Sequence, residues 1–144
     1  MTVAVALAML ERQGQWLLQL RDDITGIAAP GCWGLFGGHL DPGESPEQAL
    51  RRELLEEIAW MAGELPFWFR DSNPQRIAHF FRAPLTVPLQ ELQLLEGQDM
   101  VLASLEALSS GEIWSPRLGQ RRLLAPSLQC AVNRLHSEAS PIVV

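Results

Sequence analysis

Lysine and tyrosine are absent from this 144-residue chain, and cysteine occurs only as Cys32 and Cys130. Its 11 basic residues are therefore all arginine, against 17 acidic ones, and the net charge is −6. That balance argues against a surface built to coat nucleic acid. It leaves a nucleotide ligand open, because a bound dication reverses the local field. Two distant cysteines without a Cys-x-x-Cys spacing supply neither a zinc site nor a disulfide framework, so a reducing, cytoplasmic setting is expected. Long apolar runs are also absent. Thr2 to Leu10 is apolar but short, lacks a basic flank and is followed by Glu11. It is neither a signal peptide nor a membrane span, and no membrane partner is expected. No internal repeat or low-complexity tract occurs.

What is present suits one core. Apolar residues make up 47% of the chain, enough to fill a single domain of this length. The expected domain is 1–137, with 138–144 as a flexible tail. Val3, Val5, Leu7 and Met9 alternate with small residues and read as a buried strand. Gln13-Gly14 turns the chain into a second strand, Trp16 to Leu20, so the pair forms a hairpin. Asp22 to Pro30 is a loop, and Cys32 to Phe36 a short apolar stretch. Pro66 to Arg70 and Gln75 to Arg82 read as strands around the turn Asp71-Ser72-Asn73-Pro74. Ala83 to Leu95 is irregular, Met100 to Ala103 a last strand, and Ser104 caps a short helix. A terminal helix starts at Pro126, with Leu128, Ala131, Val132 and Leu135 on one face. Strands before, between and after helices predict an α/β fold with a mixed sheet.

The most informative element is a long helix. Ser45 is a good N-cap, Pro46 suits the first helical position, and Gln48 completes a capping box. Leu50, Leu54 and Ile58 form one buried stripe. Glu53, Glu56 and Glu57 fall within an arc of about 100°, which this reading places roughly opposite Leu50. Crowded anions of this kind repel. Arg52 offsets part of that repulsion through Glu56, and a divalent cation would offset more. Mg²⁺ prefers oxygen ligands of this sort. Just upstream, Gly37-Gly38 permits close backbone approach, and Asp41-Pro42-Gly43 turns into the helix beside Glu44.

These residues carry a family resemblance. GHLDPGESPEQALRRELLEEIAW, Gly38 to Trp60, resembles the Nudix box: a Gly, five residues, a Glu, seven residues, Arg-Glu, an apolar residue, any residue, Glu-Glu, any residue, Gly and an apolar residue. Gly38, Glu44, Arg52, Glu53, Leu54, Glu56, Glu57 and Trp60 fit. Ala59 stands where the family has Gly, for which a modest backbone adjustment is expected. The wider order also resembles MutT-like members, including Glu96-Gly97-Gln98 after the later strands.

The resemblance implies an α/β/α sandwich around a mixed sheet. It also implies Mg²⁺-dependent hydrolysis of a nucleoside diphosphate linked to another group, with Mn²⁺ as a substitute ion. Glu53, Glu56 and Glu57 become the expected metal ligands, with the Gly38 carbonyl as an extra one. Arg52 orients the carboxylates and Glu44 braces the loop through Arg52. Glu53 and Glu96 are both candidates for the general base. Arg21, Phe36 and His39 are candidates for substrate contact. A nucleotide-type small molecule is the expected partner, and a homodimer is compatible with the sequence. The missing tyrosine weakens a dinucleoside-polyphosphate reading. LLQLR resembles the start of the coenzyme A signature, but Leu35-Phe36 replaces its Phe-Pro. A nucleoside triphosphate is the favoured substrate. ADP-ribose or a sugar nucleotide is the alternative, and a non-catalytic nucleotide sensor is the rival from another class.

Overall fold

Alternation along the first strand sets the layers. In the computed structural model, which describes residues 2–139, β1 (Val3–Arg12) sends Val5, Leu7 and Met9 to one face. Ala6, Ala8 and Leu10 point to the other. Both sets are buried, so each face of the sheet carries a covering layer. Leu50, Leu54 and Ile58 of α1 (Pro46–Ile58) cover the second face. Leu128, Ala131, Val132 and Leu135 of the C-terminal helix, α3 (Pro126–Ala139), cover the first. The result is an α/β/α sandwich, as expected.

The sheet is mixed. β1 runs parallel to β6 (Arg76–Pro84) from Val3↔Arg76 to Glu11↔Pro84. A parallel pair needs a crossover, and α1 lies in the intervening chain. On its other edge, β1 is shared by two antiparallel strands. β4 (Phe36–His39) pairs with Val5 to Ala8, and β2 (Gln15–Leu20) pairs from the hairpin end. β2 also takes β3 (Trp33–Gly34) and β7 (Asp99–Ser104). β5 (Phe67–Ser72) lies outside β6.

Local chemistry explains the start of α1. The Ser45 hydroxyl accepts from the Gln48 N–H at 3.1 Å, and the Gln48 side chain accepts from the Ser45 N–H at 2.9 Å. Ser104 caps the short α2 (Leu105–Ser109) through the Ala107 N–H.

Two features differ from expectation. A second, two-stranded sheet, β8 (Glu112–Ser115) with β9 (Gln120–Leu123), follows the strand expected to be last. The C-terminal helix also includes Glu138 and Ala139, which the sequence reading assigned to the tail. Glu138 is tied there by Trp68 at 2.8 Å and Arg82 at 2.9 Å. The rest of the expected tail, 140–144, lies outside the described residues. Among the described residues no helix is long and apolar enough to cross a membrane.

Candidate active site

The site begins where β4 passes beneath α1. Gly37 has φ 139°, and a Cβ there would lie 2.0 Å from the Ala6 carbonyl oxygen. A Cβ on Gly38 would sit 2.7 Å from the Glu53 carboxyl carbon. At Gly37 only glycine lets β4 lie so close to β1, and at Gly38 a side chain would displace the Glu53 carboxylate. The approach frees the Gly37 N–H to donate to Glu57 Oε1 at 2.8 Å.

Arg52 organises the neighbouring carboxylates. It forms a two-pronged pair with Glu44, with both N–O distances 2.9 Å. A third nitrogen–hydrogen donates to Glu53 Oε1 at 3.0 Å and to Glu56 Oε2 at 3.3 Å. The His39 carbonyl accepts at 3.0 Å. Glu44 in turn accepts from the Asp41 N–H at 2.8 Å, which ties down the Asp41-Pro42-Gly43 turn. Arg52 holds the Glu44 carboxyl below its usual range. Fork geometry of this kind suits arginine rather than lysine.

A cleft of about 550 Å³ opens beside this cluster. Glu53, Glu57 and Glu96 line it together with Gln19, Arg21 and His39. Burial raises the Glu57 carboxyl to about 10, and the Glu96 carboxyl, hydrogen-bonded to it, pushes the same way. The Gly37 N–H opposes that shift. Glu53 is also raised, chiefly by burial, while Arg52 pulls it down. Three acidic side chains thus converge on the cleft, and burial favours the protonated form of Glu53 and Glu57.

The placement of Glu57 corrects the helix reading. It is only 3% exposed, not opposite Leu50 on a solvated face. Seven residues span almost two turns, which puts Glu57 within about 20° of Leu50. Glu56 faces outward, with its side chain 57% exposed, and does not line the cleft. Phe36 is a second correction. It is 1% exposed and packs among Leu50 and Leu54, so it is core and cannot stack on a ligand. Arg21 and His39 do line the cleft. Arg21 Nε donates to the Ala28 carbonyl at 2.6 Å, so the loop after β2 steadies that side chain.

Residues 1–121 match the family model of the NUDIX domain. The chain belongs to the Nudix family. A curated relative, the nucleoside triphosphatase NudI of Salmonella agona, is 39% identical over 66 residues. That match covers 44% of this chain and 46% of NudI, so the chain spans about half the length of the curated relatives it matches. Solved structures share this fold, two of them as follows. The MutT NUDIX hydrolase of Burkholderia pseudomallei superposes with a TM-score of 0.72 at 19% identity, covering 94% of this chain and 98% of that one. The E. coli ORF135 protein gives 0.62 at 28% identity, covering 97% and 95%.

Within the Nudix box, Ala59 takes the left-handed conformation, φ 54° and ψ 38°, at the end of α1. Alanine thus adopts here a left-handed helix end that glycine would take at lower cost. Gln19 is among the cleft-lining residues that escaped the sequence reading, with Asp22, Ile24 and the loop that follows. Gln19 is 3% exposed on β2, at the parity of Leu17, which faces α1. Its signal was an amide between the apolar residues Leu18 and Leu20, at the inward parity of Leu17.

Proposed function

We propose that this Nudix chain hydrolyses a phosphoanhydride bond in a nucleoside diphosphate linked to another group, with a nucleoside triphosphate as its first substrate. The observation that carries this reading is the convergence of Glu53, Glu57 and Glu96 on one cleft beside Arg21. A polyanionic substrate would not enter such an acidic site unaided, and hard oxygen donors suit Mg²⁺, or Mn²⁺ in its place. Among the described residues no trio of His, Cys, Asp or Glu side chains is already arranged to hold a metal. Glu53 and Glu56 turn toward Arg52, and Glu57 turns toward Gly37. Metal binding then requires those carboxylates to reorient. Glu53, Glu56, Glu57 and the Gly38 carbonyl would hold the ion, with Glu96 adding an oxygen from the facing loop. When bound, the ion would neutralise the phosphates and stabilise the leaving oxygen.

The chain's own groups divide the remaining work. Arg52 holds Glu53 by Oε1. That leaves Oε2 to take the proton of the attacking water, and the raised affinity of Glu53 for a proton suits a general base. Arg21 keeps its terminal nitrogens for a phosphate after Nε is spent on Ala28. Glu44 braces the turn through Arg52. A nucleoside triphosphate comes first because NudI bears that activity in its name. A small-molecule partner and a cytoplasmic setting belong to the same proposal.

The test is product release from a panel of nucleoside triphosphates, ADP-ribose and sugar nucleotides with Mg²⁺ or Mn²⁺. Release from a triphosphate supports the first reading. Release from ADP-ribose alone moves the substrate to the alternative. Binding without release assigns a sensor.

A further inference from the structure

Gln19 has no role in the chemistry just described, yet its amide lies inside the site. Burying an unpaired amide is unfavourable, so its partners are informative. Gln19 Nε2 donates to the Glu96 carbonyl at 3.0 Å and lies 3.4 Å from Glu57 Oε2. Both partners are acceptors, and the amide nitrogen has two hydrogens, so the amide orientation is fixed. The loop that carries Glu96 is anchored at both ends. The Leu95 N–H donates to the Glu57 carbonyl at 2.8 Å. The Gln98 N–H donates to the Leu20 carbonyl at 2.8 Å, and the Gln98 side chain to the Arg21 carbonyl at 2.9 Å. Between these anchors the backbone presses on Gln19. A Cβ on Gly97, whose φ is 106°, would lie 2.9 Å from Gln19 Cγ.

We propose that Gln19 is a positioning residue whose buried amide ties the Glu96 loop to Glu57 and so fixes the separation of the carboxylates on the two walls of the cleft. The proposal rests on the reading of the cleft given above. It acts through Glu57 and Glu96 rather than through substrate. Small displacements of reacting groups are known to lower rates by about 10². Loss of the amide therefore acts on turnover and metal binding ahead of substrate affinity.

The decisive variant is Gln19→Met, which keeps length and apolar bulk and removes both donors. Four quantities are compared with the wild type: melting temperature, kcat and KM on the best nucleotide of the panel, Mn²⁺ affinity by electron paramagnetic resonance, and amide hydrogen exchange in 95–98. The expected result is a fall in kcat of about 10- to 100-fold, with KM changed less than about threefold. Mn²⁺ binding weakens about tenfold or more, and exchange in 95–98 accelerates. Gly97→Ala, which pushes the same loop off Gln19, is expected to weaken Mn²⁺ binding in the same direction. A Gln19→Met protein that melts earlier but keeps wild-type kcat and Mn²⁺ affinity overturns the proposal, because Gln19 then only packs. A rise in KM alone also overturns it, because the amide then touches substrate. Wild-type protein that binds no Mn²⁺ and releases no product overturns the cleft reading instead. Loop exchange then decides separately whether Gln19 holds the Glu96 segment, and unchanged exchange would refute that too.

Discussion

Replacing Glu57 by Gln should stabilise the metal-free protein at alkaline pH while removing its activity. Glu57 is 3% exposed, and its proton affinity rises from the ordinary carboxyl value of 4.5 to about 10. The folded chain therefore holds a proton that the unfolded chain releases above pH 4.5. Stability from this group is fully present below pH 4.5 and is lost as pH rises toward 10. At pH 7 the loss has an upper bound of about 3.5 kcal/mol, from about 1.4 kcal/mol per pH unit above the unfolded value of 4.5. Glutamine has the shape of the protonated acid. Its oxygen can accept from the Gly37 N–H and its nitrogen can donate toward Glu96, with no charge at any pH. The same nitrogen, at the place of Oε2, faces Gln19 Nε2 as donor to donor and offsets part of the gain. In chelator at pH 8, Glu57→Gln should then be more stable than wild type by about 1–3 kcal/mol. At pH 5 the two proteins should nearly coincide. Urea unfolding at both pH values, with equal slopes, measures this directly. Turnover with Mg²⁺ should fall by about 10² to 10⁴. A variant less stable than wild type at pH 8 would refute the reasoning, because Glu57 would then be a stabilised anion rather than a burdened acid.

Other predictions follow from single contacts. Leu54 is fully buried between α1 and the sheet. Leu54→Asp should cost several kcal/mol, and an unchanged melting temperature would place the helix the wrong way round. Ala59 is exposed and left-handed. Ala59→Gly should add about 1 kcal/mol and raise the melting temperature by about 2–4 °C, whereas a lower melting temperature would show that the methyl group packs. If Glu53 is the base, Glu53→Gln should lower kcat by about 10² to 10⁴ and Glu96→Gln by less than about tenfold. The reverse order would transfer the role to Glu96.

Elements whose chemistry is local were legible in the sequence. Ser45, Pro46 and Gln48 specify the start of α1 by capping alone, and Leu50, Leu54 and Ile58 specify its buried stripe. Val5, Leu7 and Met9 gave β1, and the four apolar positions of α3 gave its packing face. Elements that depend on distant partners were not legible. β8 and β9 bury little beyond Ile113 and Ser115, and Gln120-Arg121-Arg122 carries no strand signal. β4 is half glycine, and its pairing with β1 rests on the close approach of Gly37. The site divides in the same way. The box pointed to Gly38, Glu44, Arg52, Glu53, Glu56 and Glu57, and in the structure Arg52 binds Glu44. Helix spacing alone puts Glu56 about 120° from Leu50 and Glu57 within about 20° of it, so the outward turn of Glu56 was legible. The burial of Phe36, by contrast, depends on α1 packing over β4. Glu96 joined Glu57 only because its loop is tied to the ends of α1 and β2. Gln19 became a site residue through the same three-dimensional closure.

The most direct test of the account is phosphorus NMR of a nucleoside triphosphate incubated with the protein, first with Mg²⁺ and then with excess chelator. Hydrolysis at the proposed bond predicts nucleoside monophosphate and pyrophosphate with Mg²⁺ and an unchanged spectrum with chelator. The same products forming at full rate under chelation would contradict the role assigned to Glu53, Glu56 and Glu57.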